Sequence, residues 1–137
     1  MMYFETTFPV RYYETDQMAV VHHSNYIRYF EIARNAMMAD GGYPIEEFEK
    51  DGVVIPVVSV ECRFRVSARM GDVLTASASI ADVPMAKLTV LQEVRNQKGE
   101  VCAEGKVVLG FLDKNTFRPV RCPQRLLSLI ENRINDR

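Results

Sequence analysis

The sequence predicts an α+β fold in which a curved antiparallel sheet wraps one long helix, with a short helix at the C-terminus. Three observations carry this. A long apolar-periodic segment runs from about Ser24 to Asp40. From Val54 onward, segment after segment alternates apolar and polar residues at strand period, and a further strand pattern precedes the helix. One early helix with four or so antiparallel strands behind it is the layer arrangement in which the sheet buries its apolar face against that helix.

The first element is a strand from Tyr3 to Tyr13, with Phe4, Thr6, Phe8, Val10 and Tyr12 on one face; Pro9 demotes it toward an edge or a bulge. The long helix follows the segment Glu14 to His23. Tyr26, Phe30, Ala33 and Met37 recur at helical spacing, and Tyr29, Ile32 and Ala36 widen the stripe, as a wrapped helix requires. Gly41-Gly42 ends it, and Tyr43-Pro44 prevents its continuation. Glu31 and Arg34, three apart, suit a functional role, although a helix-surface ion pair or an interface contact is the stronger reading.

Ile45 to Gly52 reads as a polar connection. Val54 to Val66 then alternates, with Val58, Val60, Cys62, Phe64 and Val66 facing one way and Ser59, Glu61, Arg63 and Arg65 the other. Met70-Gly71-Asp72 is a turn. Val73 to Ala81 places Leu74, Ala76, Ala78 and Ile80 on one side, and Asp82-Val83-Pro84 breaks it. Lys87 to Arg95 is the next strand, Asn96 to Gly99 a hairpin turn, and Val101 to Leu112 the last long strand; these close an antiparallel meander. After a turn at Asp113 to Thr116, Pro123 to Ile134 is a terminal helix opened by proline.

The chemistry concentrates just before the long helix. The first turn of a helix has backbone N–H groups without intrahelical partners, and the aligned peptide dipoles make that end partly positive. A substrate carbonyl placed against the N–H groups near His23 and Ser24 would find its developing oxyanion stabilised. Asp16, a few residues upstream, is positioned to attack such a carbonyl or to deprotonate a water. His23 could orient the substrate or shuttle a proton. The same residues also suit plainer roles, since an Asp before a helix often serves a turn or a cap.

Tyr13-Glu14-Thr15-Asp16, then Val20-Val21-His22-His23-Ser24-Asn25-Tyr26, then Tyr29-Phe30-Glu31 and Ala33-Arg34 resemble the signature of the 4-hydroxybenzoyl-CoA thioesterase-like acyl-CoA thioesterases of the hotdog fold. The resemblance covers nearly the whole chain. It implies that Asp16 is the catalytic carboxylate and that His23 stands at the helix start, where its backbone N–H polarises the thioester carbonyl. It further implies acyl-binding residues around Asn25 and Tyr26, and a basic residue at the place of Lys87 that contacts the phosphates of coenzyme A. Arg63, Arg65 and Arg69 extend that basic surface or simply form a solvated face. One departure stands in the loop: Ala19 occupies a place where the family usually has glycine, so the loop is expected to take a slightly different path.

The implied substrate is an acyl-CoA, or the same acyl group on a carrier protein, cleaved to acid and thiol without a cofactor. A sheet wrapped on one helix leaves strand edges open, and the resemblance implies a homodimer or a dimer of dimers with sites between subunits, so that Asp16 and Lys87 of one site belong to different chains. Two other readings share the fold. A dehydratase or hydratase is disfavoured because the His-Phe-Pro pattern of hotdog dehydratases is missing; a non-catalytic acyl-CoA-binding module is kept open by Ala19.

Composition bounds the rest. The 137 residues, 47% hydrophobic and 26% charged, suit one domain spanning 1–137. The 17 basic and 18 acidic residues nearly cancel, which gives no footprint for nucleic acid or an anionic membrane. Cys62, Cys102 and Cys122 have neither disulfide-scaffold nor zinc spacing, and a reduced, cytoplasmic setting is expected. Met1 to Thr6 has no basic stretch leading into an apolar core, and no apolar run is long enough to span a bilayer. Gly-x-Ser-x-Gly, His-Glu-x-x-His, Gly-x-Gly-x-x-Gly and phosphate-loop patterns are all missing, so serine-hydrolase, metal and nucleotide chemistry have no motif here.

Overall fold

The computed structural model describes residues 1–136. Its main sheet is antiparallel, built from β1 (Met2–Pro9), β3 (Val57–Phe64), β4 (Val73–Ile80), β5 (Lys87–Arg95) and β6 (Val101–Gly110), in the order β1-β4-β5-β6-β3. Helix α1 (Ser24–Asp40) lies on one face of it. This is the expected wrapped-helix architecture.

Alternation decides which side of each strand meets the helix. In β4, Leu74, Ala76, Ala78 and Ile80 are all fully buried, and Leu88, Val90 and Val94 of β5 and Ala103 and Val107 of β6 continue the layer. From α1, Tyr29, Phe30, Ala33 and Met37 fill it. The alanines of β4 and Gly105 of β6 leave room for those aromatic rings: a Cβ on Gly105 would stand 2.9 Å from Cε2 of Phe30 and 2.1 Å from the carbonyl oxygen of Glu61 on β3.

The stripe on α1 is wide, and of the residues expected to widen it only Tyr29 is buried. Ile32 is exposed and Ala36 only half-buried, while Asn25, Arg34 and Met38 are buried. The helix is terminated at Gly42, whose φ of +89° suits glycine, with Tyr43 N–H donating to the Met38 carbonyl at 2.8 Å.

Three boundaries differ from the sequence reading. The first strand ends at Pro9, and Tyr12–Glu14 forms a 3-10 turn that leaves Tyr12 exposed. The connection after Pro44 contains a short helix, α2 (Ile45–Lys50), held by tertiary contacts that its polar sequence does not announce: Phe48 packs on Tyr43, and Arg125 donates to Glu47 at 3.0 Å and to Asp51 at 3.2 Å. Arg125 belongs to the terminal helix α3 (Gln124–Asn135), which buries Leu126 and Ile130. The strand expected from Val54 is divided at Pro56, which cannot donate to a ladder. Its first piece, β2 (Val53–Val54), pairs instead with β7 (Leu112–Asp113), split from the end of the last long strand.

The edge strand β3 departs most from expectation. Of the residues expected on its inner face, Val60 and Cys62 are half-buried, but Val58 and Phe64 are each 52% exposed and Val66 42%. Within one chain that apolar row is only partly covered: Phe64 meets the Tyr26 ring at 5.5 Å, and Val60 and Cys62 pack on the core, while Val58 is left largely open.

Candidate active site

The segment between the 3-10 turn and α1 folds back on itself. Thr15 bridges Val21, and Asp16 N–H donates to the Val20 carbonyl at 2.9 Å, so Asp16 lies opposite Val20 just ahead of the helix. The Asp16 Oδ1 accepts from Met18 N–H at 2.8 Å and, more weakly, from Val20 N–H at 3.4 Å. Among the described residues its Oδ2 has no hydrogen-bond partner. One oxygen of the carboxylate holds the loop, and the other is uncommitted.

This tight turn requires a left-handed residue, and Ala19 supplies it with φ +61°. The loop therefore has the backbone conformation that glycine adopts freely, with alanine bearing the strain.

A buried carboxylate anchors the loop from below. Glu14 is 7% exposed; its Oε1 accepts from Arg11 N–H at 2.8 Å and from the Tyr29 hydroxyl at 3.0 Å. Burial is the main cause that drives the Tyr29 phenol far above its usual pKa, with the Glu14 hydrogen bond and charge adding to it. The Glu14 carbonyl accepts from His22 N–H and from Asn25 Nδ2, each at 2.9 Å. The sequence reading passed over Glu14 as a site residue, although Arg11 and Glu14 stand at the three-residue spacing of a turn.

His23 is the N-cap of α1 and is exposed. Its backbone N–H has no acceptor among the described residues, whereas Ser24 N–H is engaged by His22 Nδ1 at 3.3 Å and Asn25 N–H by the His22 carbonyl at 2.9 Å. Among the described residues the His23 N–H is thus the donor left without an acceptor at the start of α1. The His23 ring stacks on His22 at 4.2 Å and meets Phe64 edge-on at 6.1 Å.

Asn25 and Tyr26, the residues expected to bind substrate, lie in the first turn of α1. Both are buried, and both side chains bond to backbone: Asn25 to Glu14, and the Tyr26 hydroxyl to Ala68 N–H at 3.1 Å. Residue 68 in turn accepts from Val21 N–H at 2.8 Å, so Tyr26 fixes the segment that braces the Asp16 loop. Within the chain they position the loop instead of lining an open surface.

Lys87 is exposed and lies far from this loop. It pairs with Gly110, while the strand ends near the loop pair Phe64 with Ala103 and Thr75 with Arg95. Along β5 that is roughly 25 Å at strand rise. Of the arginines, Arg65 pairs with Glu104, as a solvated face would have it. The thiols are not nucleophile candidates: burial pushes Cys102 up to about 11 and Cys122 up to about 12.

At the Lys87 end a cavity of about 340 Å³ opens between α1, α2 and the start of β3, walled by Met38, Phe48, Val54, Leu88 and Leu109. Arg34 lines it. The expected surface pairing with Glu31 is not made: Arg34 is 8% exposed, forms no ion pair within 4.0 Å, and donates through Nη1 to Gln92 Oε1 at 3.0 Å. Burial lowers its pKa, partly opposed by the Glu31 charge. An i, i+3 spacing cannot tell a surface pair from a residue turned under the helix, which is why the sequence reading favoured the pair.

A helix wrapped by an antiparallel sheet, with a carboxylate loop and an open N–H at the helix start, defines the hotdog thioesterase class. The profile of the thioesterase-like superfamily matches residues 10–130. The chain belongs to that superfamily, and it is an enzyme of the thioester-hydrolase class. It is 31% identical to YneP of Bacillus subtilis (strain 168) over 112 residues, 82% of this chain and 81% of that protein. It is similar to the acyl-CoA thioester hydrolase YbgC of Escherichia coli O6:H1, 25% identical over 88% of this chain and 91% of the relative. Among solved structures, a DHNA-CoA thioesterase from Staphylococcus aureus superposes with a TM-score of 0.86 at 27% identity, covering 96% of this chain and 88% of that one. No helix among the described residues is long and apolar enough to cross a membrane.

Proposed function

We propose that this protein hydrolyses acyl-CoA thioesters, with Asp16 as the reacting carboxylate and the His23 backbone N–H as the oxyanion donor. The observation that carries this is the loop itself, which holds a carboxylate with one uncommitted oxygen beside the one open N–H at the start of α1. Asp16 either attacks the thioester carbonyl, giving an anhydride that water then opens, or takes a proton from the attacking water. In both routes negative charge grows on the carbonyl oxygen, and the thiolate leaves with a proton from solvent or from the water. In this reading the His23 N–H, which has no acceptor among the described residues, donates to that charge. Carrier-protein thioesters present the same bond and are a second substrate form.

The site extends across a dimer in this reading. Two chains that continue one sheet with both helices on the same face are related by a two-fold axis normal to the sheet, so their β3 edges run antiparallel. That arrangement covers Val58 and Phe64 and brings the cavity and Lys87 of one chain toward the Asp16 loop of the other. Lys87 then meets the coenzyme A phosphates, and the cavity receives the acyl group. The backbone of Ala19 argues against the non-catalytic binding reading, because it keeps the loop in the conformation glycine would give.

Release of free thiol from a panel of short, long and aromatic acyl-CoAs tests this directly. The wild type is expected to turn over at least one of them, and Asp16→Ala to lower kcat by at least about a hundredfold with the circular dichroism spectrum unchanged. Equal turnover by both proteins would mean that another residue carries the reaction.

A further inference from the structure

The cavity at the far end of α1 combines an apolar wall with one buried cation. Met38, Phe48, Val54, Leu88 and Leu109 provide a surface suited to an acyl group. About 340 Å³ holds roughly eleven water-sized groups, each claiming about 30 Å³ in the liquid. Arg34 sits among these residues, 8% exposed, with a single hydrogen bond to a neutral amide. A guanidinium has five donors. No fully buried side-chain nitrogen or oxygen among the described residues is left without a partner, so the remaining Arg34 nitrogens keep some exposure, and Arg34 lines the cavity.

The guanidinium is held in place before anything binds. Gln92 accepts from Arg34 with its Oε1, and its Nε2 donates to the Phe30 carbonyl at 2.6 Å, which fixes the amide and with it the arginine. Of the other charged residues around the cavity, Lys114 and Glu49 pair with each other at 3.5 Å, and Glu31 is an exposed helix residue. A saturated acyl tail filling this space would strip water from the free N–H groups of Arg34 and give nothing back. An acyl group with an oxygen at that depth would replace the water.

We propose that Arg34 is a specificity-determining residue that donates hydrogen bonds to an oxygen carried by the acyl group beyond its thioester carbonyl. The enzyme then prefers oxo-, hydroxy- or carboxy-substituted acyl groups over plain alkanoyl groups of equal length. This rests on the thioesterase reading above and deepens it. A site built to hydrogen-bond a substrate group rejects an analogue lacking that group far more strongly than it rejects a missing methylene.

The test measures kcat/KM of the wild-type protein on matched pairs: octanoyl-CoA against 3-oxooctanoyl-CoA and suberoyl-CoA, and phenylacetyl-CoA against 4-hydroxyphenylacetyl-CoA. At least one oxygenated member is expected to be favoured by about a hundredfold, and Arg34→Met to reduce that ratio to within about twofold. Which pair shows the preference distinguishes an oxo, a carboxylate and a hydroxyl. Equal kcat/KM within every pair would overturn the inference while leaving the thioesterase reading intact, and this outcome needs no variant. So would an Arg34→Met protein that loses both members of a pair equally, the signature of a structural role or of a contact to the partner subunit. No thiol release from any substrate would sink the thioesterase reading itself, and the inference with it.

Discussion

Ala19 holds a left-handed backbone, φ +61°, where its Cβ crowds the neighbouring carbonyl. For an L-residue with a side chain this costs about 1–2 kcal/mol, against the 0.5–1 kcal/mol of extra chain entropy that glycine would lose on folding. Ala19→Gly is therefore expected to stabilise the protein by about 0.5–1 kcal/mol, a rise in Tm of roughly 2–4 °C for a chain of this length. Thermal unfolding checks it; an unchanged or lower Tm would show that the loop relaxes around alanine. The departure from the family pattern at this residue was legible in the sequence, and its consequence was not: a residue type says what a backbone prefers, whereas a turn closed by Thr15 and Val21 decides what it must adopt. Asp16 and His23 stood out for the converse reason, since a carboxylate and a helix start are local features. What Asn25 and Tyr26 hold was not legible, because spacing along a helix does not say that their side chains reach the Glu14 carbonyl and the Ala68 N–H.

At the scale of elements, strand period fixed the sheet and small residues fixed the distance between sheet and helix. Alternation in β4 and β5 was readable because each presents one face to a single layer. What escaped was set by contacts distant in sequence: α2 exists because Tyr43 and Arg125 brace it, and β2 leaves the main sheet because Pro56 ends the ladder and Leu112–Asp113 offers another partner. Gly105 gives the sharpest test of the packing. A methyl group there would overlap the Glu61 carbonyl of β3 and press on the Phe30 ring, on backbone that cannot yield without shifting a strand. Overpacking usually costs 1–3 kcal/mol, and this case combines a strand contact with a core contact, so Gly105→Ala is expected to cost more than about 3 kcal/mol. Urea denaturation with an unchanged m-value would measure it. A loss below about 1 kcal/mol would mean that α1 does not press on β6 this closely.

For the molecule as a whole, the proposed site divides between Asp16 with His23 and Lys87 with the Arg34 cavity, and a second chain would supply one of the two halves. Register places Lys87 and the Arg34 cavity at one end of the sheet and Asp16 with His23 at the other, and no bending of a single chain brings ends roughly 25 Å apart together. The apolar row on β3 points to how they meet, because an exposed edge strand with Val58 and Phe64 each 52% exposed is a pairing surface. Subunit mixing tests this without a structure of the assembly. Asp16→Ala and Lys87→Glu proteins, each strongly impaired at subsaturating acyl-CoA, are unfolded together in equal amounts and refolded. If each site draws Asp16 from one chain and Lys87 from the other, every mixed dimer contains one site with both changes and one with neither. Mixed dimers form half of a random population, so activity is expected to recover to about a quarter of wild type. If both residues of a site come from one chain, no mixture contains an intact site, and activity stays at the mean of the two parents. Recovery that grows with protein concentration over the dissociation range would tie it to association of the β3 edges, and a variant carrying Val58→Lys in both chains should abolish it.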